Sequence, residues 1–244
     1  MNTYALVGKN IAYSFSRNYF KEKFEREGIA NSQYVNFDIQ SIEELPELLH
    51  TIPNVRGLNV TIPYKREIIP LLHDIDPTVY AIGAVNTIKV TPNGLIGFNT
   101  DCYGFSESLQ PLLQPHHNKA LILGTGGASG AVAYALKQLG IVYRFVSRTP
   151  NDGQLGYNEL TQEILQSYSL IINCTPLGTY PNIDECPPLP YQYITSAHLL
   201  YDLIYNPPQT AFLTQGIKRG AATCNGQYML ELQAEKAWEI WQTL

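Results

Sequence analysis

Apolar residues recur along this chain in two periods that take turns from one end to the other. Short alternating or continuous apolar runs predict strands, and i, i+3, i+4 spacing predicts helices. In the first hundred residues, strands are expected at 4–7, 34–39 and 55–60. Helices are expected at 18–27, where Tyr19, Phe20, Lys23, Phe24 and Glu27 follow helical spacing, and at 43–50, stopping before Pro53. Pro63 is expected to open another helix, since its missing N–H is no loss at a first helical position. Residues 84–90 and 95–98 read as a hairpin turned by Pro92-Asn93-Gly94. A helix then runs from Thr100 toward Leu113, and 115–118 is a connection.

After that connection the alternation restarts. Strands are expected at 119–123, 142–146, 169–173 and 199–203, with helices at 128–139 and after Pro208. Strand–helix–strand repetition implies a parallel sheet covered on both faces. The last helix, about 226–241, carries Leu230, Ala234, Ala237, Trp238 and Trp241 on one face. Gln233 lies about 60° from the centre of that stripe, at its edge, where a side chain can reach a cleft. The fold class expected is α/β, in two parts. Residues 1–101 form an N-terminal α/β domain, rejoined by the helix at 226–244. Residues 102–225 form a parallel-sheet nucleotide-binding domain.

Composition narrows the function by exclusion. The 244 residues are 45% hydrophobic and 15% charged, an ordinary globular balance. Sixteen basic against 21 acidic residues give a net charge of −5, without a basic block, so neither nucleic acid nor an anionic membrane is an expected partner. No apolar run reaches membrane-spanning length, and the N-terminus has no secretory pattern, so a cytoplasmic location is expected. Cys102, Cys174, Cys186 and Cys224 form no CxxC pair and read as reduced, mostly buried residues. His116-His117 reads as part of a solvated loop, and no metal site is expected.

The strongest local chemistry is Leu121-Ile122-Leu123-Gly124-Thr125-Gly126-Gly127-Ala128-Ser129-Gly130. An apolar strand runs through glycines straight into a helix, whose first N–H groups are unpaired and attract a phosphate. Gly124, Gly126 and Gly127 clear side chains from the backbone, and Gly130 lets the helix approach the sheet. The next strand ends at Ser147-Arg148-Thr149. A site for NAD places an acid there for the ribose 2′-hydroxyl. Arg148 offers instead a planar cation suited to a 2′-phosphate, which favours NADP.

Polar motifs close several elements of the first half. Ser14 and Ser16 face one side in extended chain and would present two hydroxyl donors to a carboxylate; Ser16 is equally a helix cap. Asn59 and Thr61 share a side at the end of a strand. Lys65 is expected in a first helical turn, where the dipole and Arg66 lower its pKa toward proton-transfer use. Asp101 is a first-turn acid, and with Lys65 a candidate acid–base pair.

These motifs together resemble shikimate dehydrogenase. The matching residues are SFS at 14–16, NVTIPYK at 59–65, GAVNT at 83–87, NTDCYGF at 99–105, GTGGASGA at 124–131, SRT at 147–149, NCTPLG at 173–178, YDLIYNPPQT at 201–210 and NGQYMLELQA at 225–234. They span nearly the whole chain in the family's order. The resemblance implies a Rossmann-type nucleotide domain and reversible, NADPH-dependent reduction of 3-dehydroshikimate to shikimate, in aromatic amino-acid (chorismate) biosynthesis. It implies Lys65 and Asp101 as the catalytic pair, and Ser14, Ser16 and Tyr205 at the substrate carboxylate. Asn59, Thr61, Asn86 and Gln233 would surround the ring hydroxyls. Gly124, Gly126, Gly127, Ala128, Ser147, Arg148 and Thr149 would hold the cofactor, with Thr175, Leu177, Gly226 and Met229 on its nicotinamide side. Where the family usually has proline after the second serine this chain has Arg17, and SRT replaces the commoner NRT. A small-molecule substrate is the expected partner, to a monomer or homodimer. The alternatives are a dehydrogenase with dual specificity for quinate and shikimate, and a non-catalytic NADP-binding regulator on the same fold.

Overall fold

A computed structural model describes residues 1–12 and 15–243. The expected site residue Ser14 lies outside the described residues. The chain forms two compact units, Met1–Thr100 with Ala234–Leu244, and Asp101–Gln233. The second unit thus extends through residue 233, and the last helix passes from one unit to the other within its own length.

The first unit contains β1 (Asn2–Gly8), α1 (Phe15–Arg26), β2 (Ser32–Asp38), α2 (Leu45–Thr51), β3 (Val55–Val60), β4 (Asp74–Ile75), α3 (Pro77–Ile82), β5 (Thr87–Thr91) and β6 (Gly94–Phe98). Among the described residues its sheet has the order β2-β1-β3-β5-β6-β4. β1 runs parallel to β2 and β3, and β5 and β6 form the expected antiparallel hairpin, closing at Thr91↔Gly94. The sheet separates two apolar clusters by strand alternation. Ala5 and Val7 of β1 face the cluster around Leu45, Tyr64, Ile68 and Val85. Tyr4 and Leu6 face the opposite one, with Phe20, Phe24, Ala234, Ala237 and Trp241. Asp76 caps α3 through Thr78 N, and Gly83 ends it with a left-handed backbone; an Asp-Pro start and a Gly stop bound a helix too short to show a period of its own.

The second unit contains α4 (Asp101–Leu109), β7 (Lys119–Leu123), α5 (Gly127–Gln138), β8 (Val142–Ser147), β9 (Leu155–Gly156), α6 (Gln162–Ser167), β10 (Leu170–Asn173), β11 (Leu199–Asp202), α7 (Ala211–Lys218) and β12 (Ala222–Cys224), and the start of α8 (Gln227–Gln242). The sheet is parallel throughout, in the order β12-β11-β10-β7-β8-β9. Counted from β7, this is 6-5-4-1-2-3, the doubly wound order that reverses between β7 and β10. Both faces of the strands are buried: Ala120 and Ile122 pack on one cluster, Leu121 and Leu123 on the other. That explains the continuous apolar runs in the sequence.

Three local expectations are corrected. Residues 62–68 are a series of turns rather than an α-helix, followed by a 3-10 turn at Ile69–Leu71. Pro70 has no N–H to continue helical pairing there. Lys65 is therefore in a turn, and the helix-dipole argument for it loses its helix. α1 begins at Phe15, so Ser16 is helical rather than extended. His117 is buried, its Nδ1 accepting from Gln114 N at 3.0 Å, and burial lowers its pKa; it is not a solvated loop residue. All four cysteines are half-buried.

Candidate active site

In the first unit, the polar residues expected around a substrate meet at the ends of β3, β5 and β6. Asn59 is buried on β3. Its Oδ1 accepts from the Tyr34 hydroxyl at 2.7 Å, and its Nδ2 donates to Asn86 O at 3.4 Å and Thr87 Oγ1 at 3.3 Å. The side chain of Asn86 is also buried. Its Oδ1 accepts from Thr100 N at 2.7 Å, and its Nδ2 donates to Thr100 Oγ1 at 3.0 Å. Thr87 and Thr100 close the group, 3.2 Å apart at their hydroxyls. This lock fixes the chain at Thr100, immediately before Asp101.

Tyr34, on β2, also shares a hydrogen bond with Ser16 of α1. Burial holds its phenol far above the ordinary range, so it stays a proton donor. One hydroxyl thus links Ser16 to Asn59. No motif marked Tyr34; the only available signal was that a tyrosine in a core-facing strand needs a polar partner. Thr61 N bonds Val7 O at 2.9 Å, and Lys65 O accepts from Val85 N at 2.7 Å, which ties the 61–65 turns beside the Asn86 strand end. Lys65 and Thr61 are half-buried.

In the second unit, the glycine turn leaves β7 at the reversal point of the sheet, where ligands of such sheets bind. Gly124 has φ +95, and a Cβ there would stand 3.0 Å from Thr175 Cγ2. A Cβ on Gly126 would meet nothing and would instead project into the open space. Here the chain has a cradle that side chains would fill, in front of the N-terminus of α5, which fits a dinucleotide diphosphate. A pocket of 370 Å³ opens beside it, lined among others by Gly124, Gly126, Ser147, Arg148, Thr149 and Thr175. That size accommodates part of a dinucleotide.

Tyr157 also lines this pocket and was not expected from the sequence. The parallel register pairs Ser147 with Gly156, so Arg148 and Tyr157 leave the sheet side by side. Burial pushes the Tyr157 phenol up to about 12, with the Arg148 charge opposing. Leu177 lines the pocket too, its N–H bonding Thr175 Oγ1 at 3.3 Å. Gly226 is buried where a Cβ would land on the Leu203 carbonyl, and its N–H bonds Ile204 O at 3.0 Å. Met229 and Gln233 follow on α8, both buried, with Gln233 Nε2 donating to Leu230 O at 3.0 Å. Tyr205 is half-buried just beyond β11. Asp101 is the first residue of α4 and is buried.

Residues 6–88 match the family model of the shikimate dehydrogenase substrate binding domain. A shikimate dehydrogenase (NADP(+)) of Clostridium botulinum is 37% identical, covering 99% of this chain and 96% of that one. A shikimate dehydrogenase structure from Peptoclostridium difficile aligns with TM-score 0.85 and 40% identity, over 99% of this chain and 92% of that one. The shikimate 5-dehydrogenase of Thermus thermophilus, solved with NADP(H) and shikimate, aligns with TM-score 0.88 and 31% identity, over 100% of this chain and 94% of that one.

Proposed function

The chain belongs to the shikimate dehydrogenase family, and from that premise we propose how its own residues carry the reaction. The chemistry is the reversible interconversion of 3-dehydroshikimate and shikimate by an oxidoreductase that uses NADP(H) or NAD(H). Of the two cofactors, NADP is the one the residues favour. The observation that carries this is the end of β8: Ser147, Arg148 and Thr149 line the nucleotide pocket, and no acid is among its described lining residues. An acid would bind a ribose hydroxyl and repel a phosphate, whereas a guanidinium pairs with phosphate in two-pronged fashion.

Gly124, Gly126, Gly127 and Arg148 would hold the nicotinamide cofactor, which would supply or accept the hydride. Lys65 delivers the proton that the developing alkoxide needs, and Asp101 orients the hydroxyl being formed. Ser14, Ser16 and Tyr205 hold the carboxylate. Thr61 and Gln233, with the Asn59 and Asn86 amides, read the ring hydroxyls. The fixed orientation of those two amides supports this, because rigid partners discriminate best between hydroxyl patterns.

The test is a turnover assay following nicotinamide absorbance, with shikimate and quinate each paired with NADP and NAD, on the wild type and Lys65→Met. The expected outcome is turnover with shikimate and NADP, and a fall in kcat by roughly 10²–10⁴-fold in the variant with a smaller change in KM. Quinate turned over at a comparable rate moves the reading to dual specificity. Cofactor binding without any turnover moves it to a regulator.

A further inference from the structure

At the end of β11 a carboxylate is fully buried with no role in the chemistry above. Asp202 has zero exposure, and each of its oxygens is engaged. Oδ1 accepts from Asn173 Nδ2 at 3.0 Å and from Ile204 N at 3.1 Å; Oδ2 accepts from Thr210 Oγ1 at 2.6 Å. Its three donors come from three segments: the end of β10, the turn after β11, and the cap of α7.

The bonds continue outward from each donor. The far end of the Asn173 amide, Oδ1, accepts from Thr175 N at 3.0 Å and Thr175 Oγ1 at 2.7 Å. Thr175 Oγ1 in turn accepts from Leu177 N at 3.3 Å. On the other side, Ile204 O accepts from Gly226 N at 3.0 Å. The polarity of this chain is dictated at its centre. An ionised carboxylate only accepts, so Asn173 must turn its NH₂ toward Asp202 and its oxygen toward Thr175.

We propose that Asp202 is a positioning residue that sets the shape of the 173–177 turn, and through Ile204 the approach to Gly226, for binding the nicotinamide end of the cofactor. This rests on the function proposed above. Thr175, Leu177 and Gly226 never touch the carboxylate; they inherit its geometry. Asp202 is held there against its own hydration: burial pushes its pKa up to about 6, with the three hydrogen bonds opposing. The titratable groups that face it are the Cys174 thiol, pushed up by burial and then by its charge, and the Tyr191 phenol, pushed up by burial, by Cys186 and only then by its charge.

The test compares Asp202→Asn with Thr210→Val by calorimetric titration with NADP, alongside thermal melts and pH profiles. An amide at 202 cannot accept from all three donors. Asp202→Asn is therefore expected to weaken NADP binding on the order of tenfold, the size of a lost charge-assisted bond, with kcat affected less than the cofactor KM. The acid limb of wild-type cofactor KM near pH 6 should vanish in it. Thr210→Val removes the donor to Oδ2 and the cap acceptor for Leu213 N but leaves the Asn173 and Ile204 bonds, so it should lower the melting temperature while NADP affinity stays within about twofold. Unchanged affinity in folded Asp202→Asn overturns the proposal. So does an equal loss in Thr210→Val, which would mark general loosening. A wild type that binds and turns over neither nicotinamide cofactor instead defeats the functional reading itself.

Discussion

At Tyr34 a single phenol oxygen meets Ser16 on one side and Asn59 on the other, beneath α1. Its removal leaves the Asn59 carbonyl oxygen buried without its donor. Tyr34→Phe should cost about 1–3 kcal/mol of stability, the usual penalty for such an orphan. It should also raise the shikimate KM while leaving that for the cofactor unchanged. Denaturant melts and steady-state kinetics on the same preparation check both halves; a cofactor KM that rises equally would point to global loosening. Residues such as Gly124 and Arg148 could be read from sequence because their chemistry is local: strand, turn and helix follow one another along the chain. Tyr34 could not, since residues 16, 34 and 59 meet only after a helix and two strands have packed. Asn86 was legible as part of a motif, but its partner Thr100 became visible only with the hairpin folded.

Elements were legible where periodicity and flanking signals agreed, as for β7 and α5. Periodicity alone misleads where proline intervenes. The 62–68 segment has helical spacing around Tyr64 and Ile68, and both are buried, yet it folds as turns ahead of Pro70. Burial of two side chains at that spacing does not require an α-helix. β9 was too short to show a period at all, and pairs with β8 through Val146↔Leu155 and Ser147↔Gly156. Two glycines at helix entries separate packing from ligand space. Gly226→Ala places a methyl on the Leu203 carbonyl and should destabilise by about 1–3 kcal/mol, as overpacking does. Gly126→Ala places its methyl in open space; it should stay within about 0.5 kcal/mol of wild type yet bind NADP markedly more weakly. Urea midpoints and NADP titrations of both variants check this, and a stable Gly226→Ala protein would contradict the close approach.

For the whole molecule, the buried Asp202 makes stability respond to pH in a direction opposite to most paired carboxylates. Its folded pKa is about 6 against an ordinary 3.8, so between those values the folded chain binds more protons than the unfolded one. Stability from this group therefore falls as pH rises through that window and is level above it. The full difference is on the order of 3 kcal/mol. Glu27 and Glu163 have lowered pKa values and act the other way, but both are exposed. Subtracting the urea stability of Asp202→Asn from that of wild type at each pH cancels them. The difference should favour wild type more at about pH 4.5 than at about pH 6.5, falling steadily between them, and a flat difference would refute the assignment.

The last helix has a consequence for how the protein comes into being. α8 delivers Ala234, Ala237 and Trp241 to the aromatic cluster of the first unit, where Trp241 stacks on Tyr4 and donates to Ile88 O at 3.0 Å. Lys23 of α1 reaches back to Glu235 at 2.7 Å. The first unit therefore lacks part of its core until those residues leave the ribosome, whereas the unit ending at residue 233 already has all of its own chain. Translation runs from the N-terminus, and domains fold as their chain becomes available. Here the order of synthesis and the order of completion are reversed: the part made first is finished last.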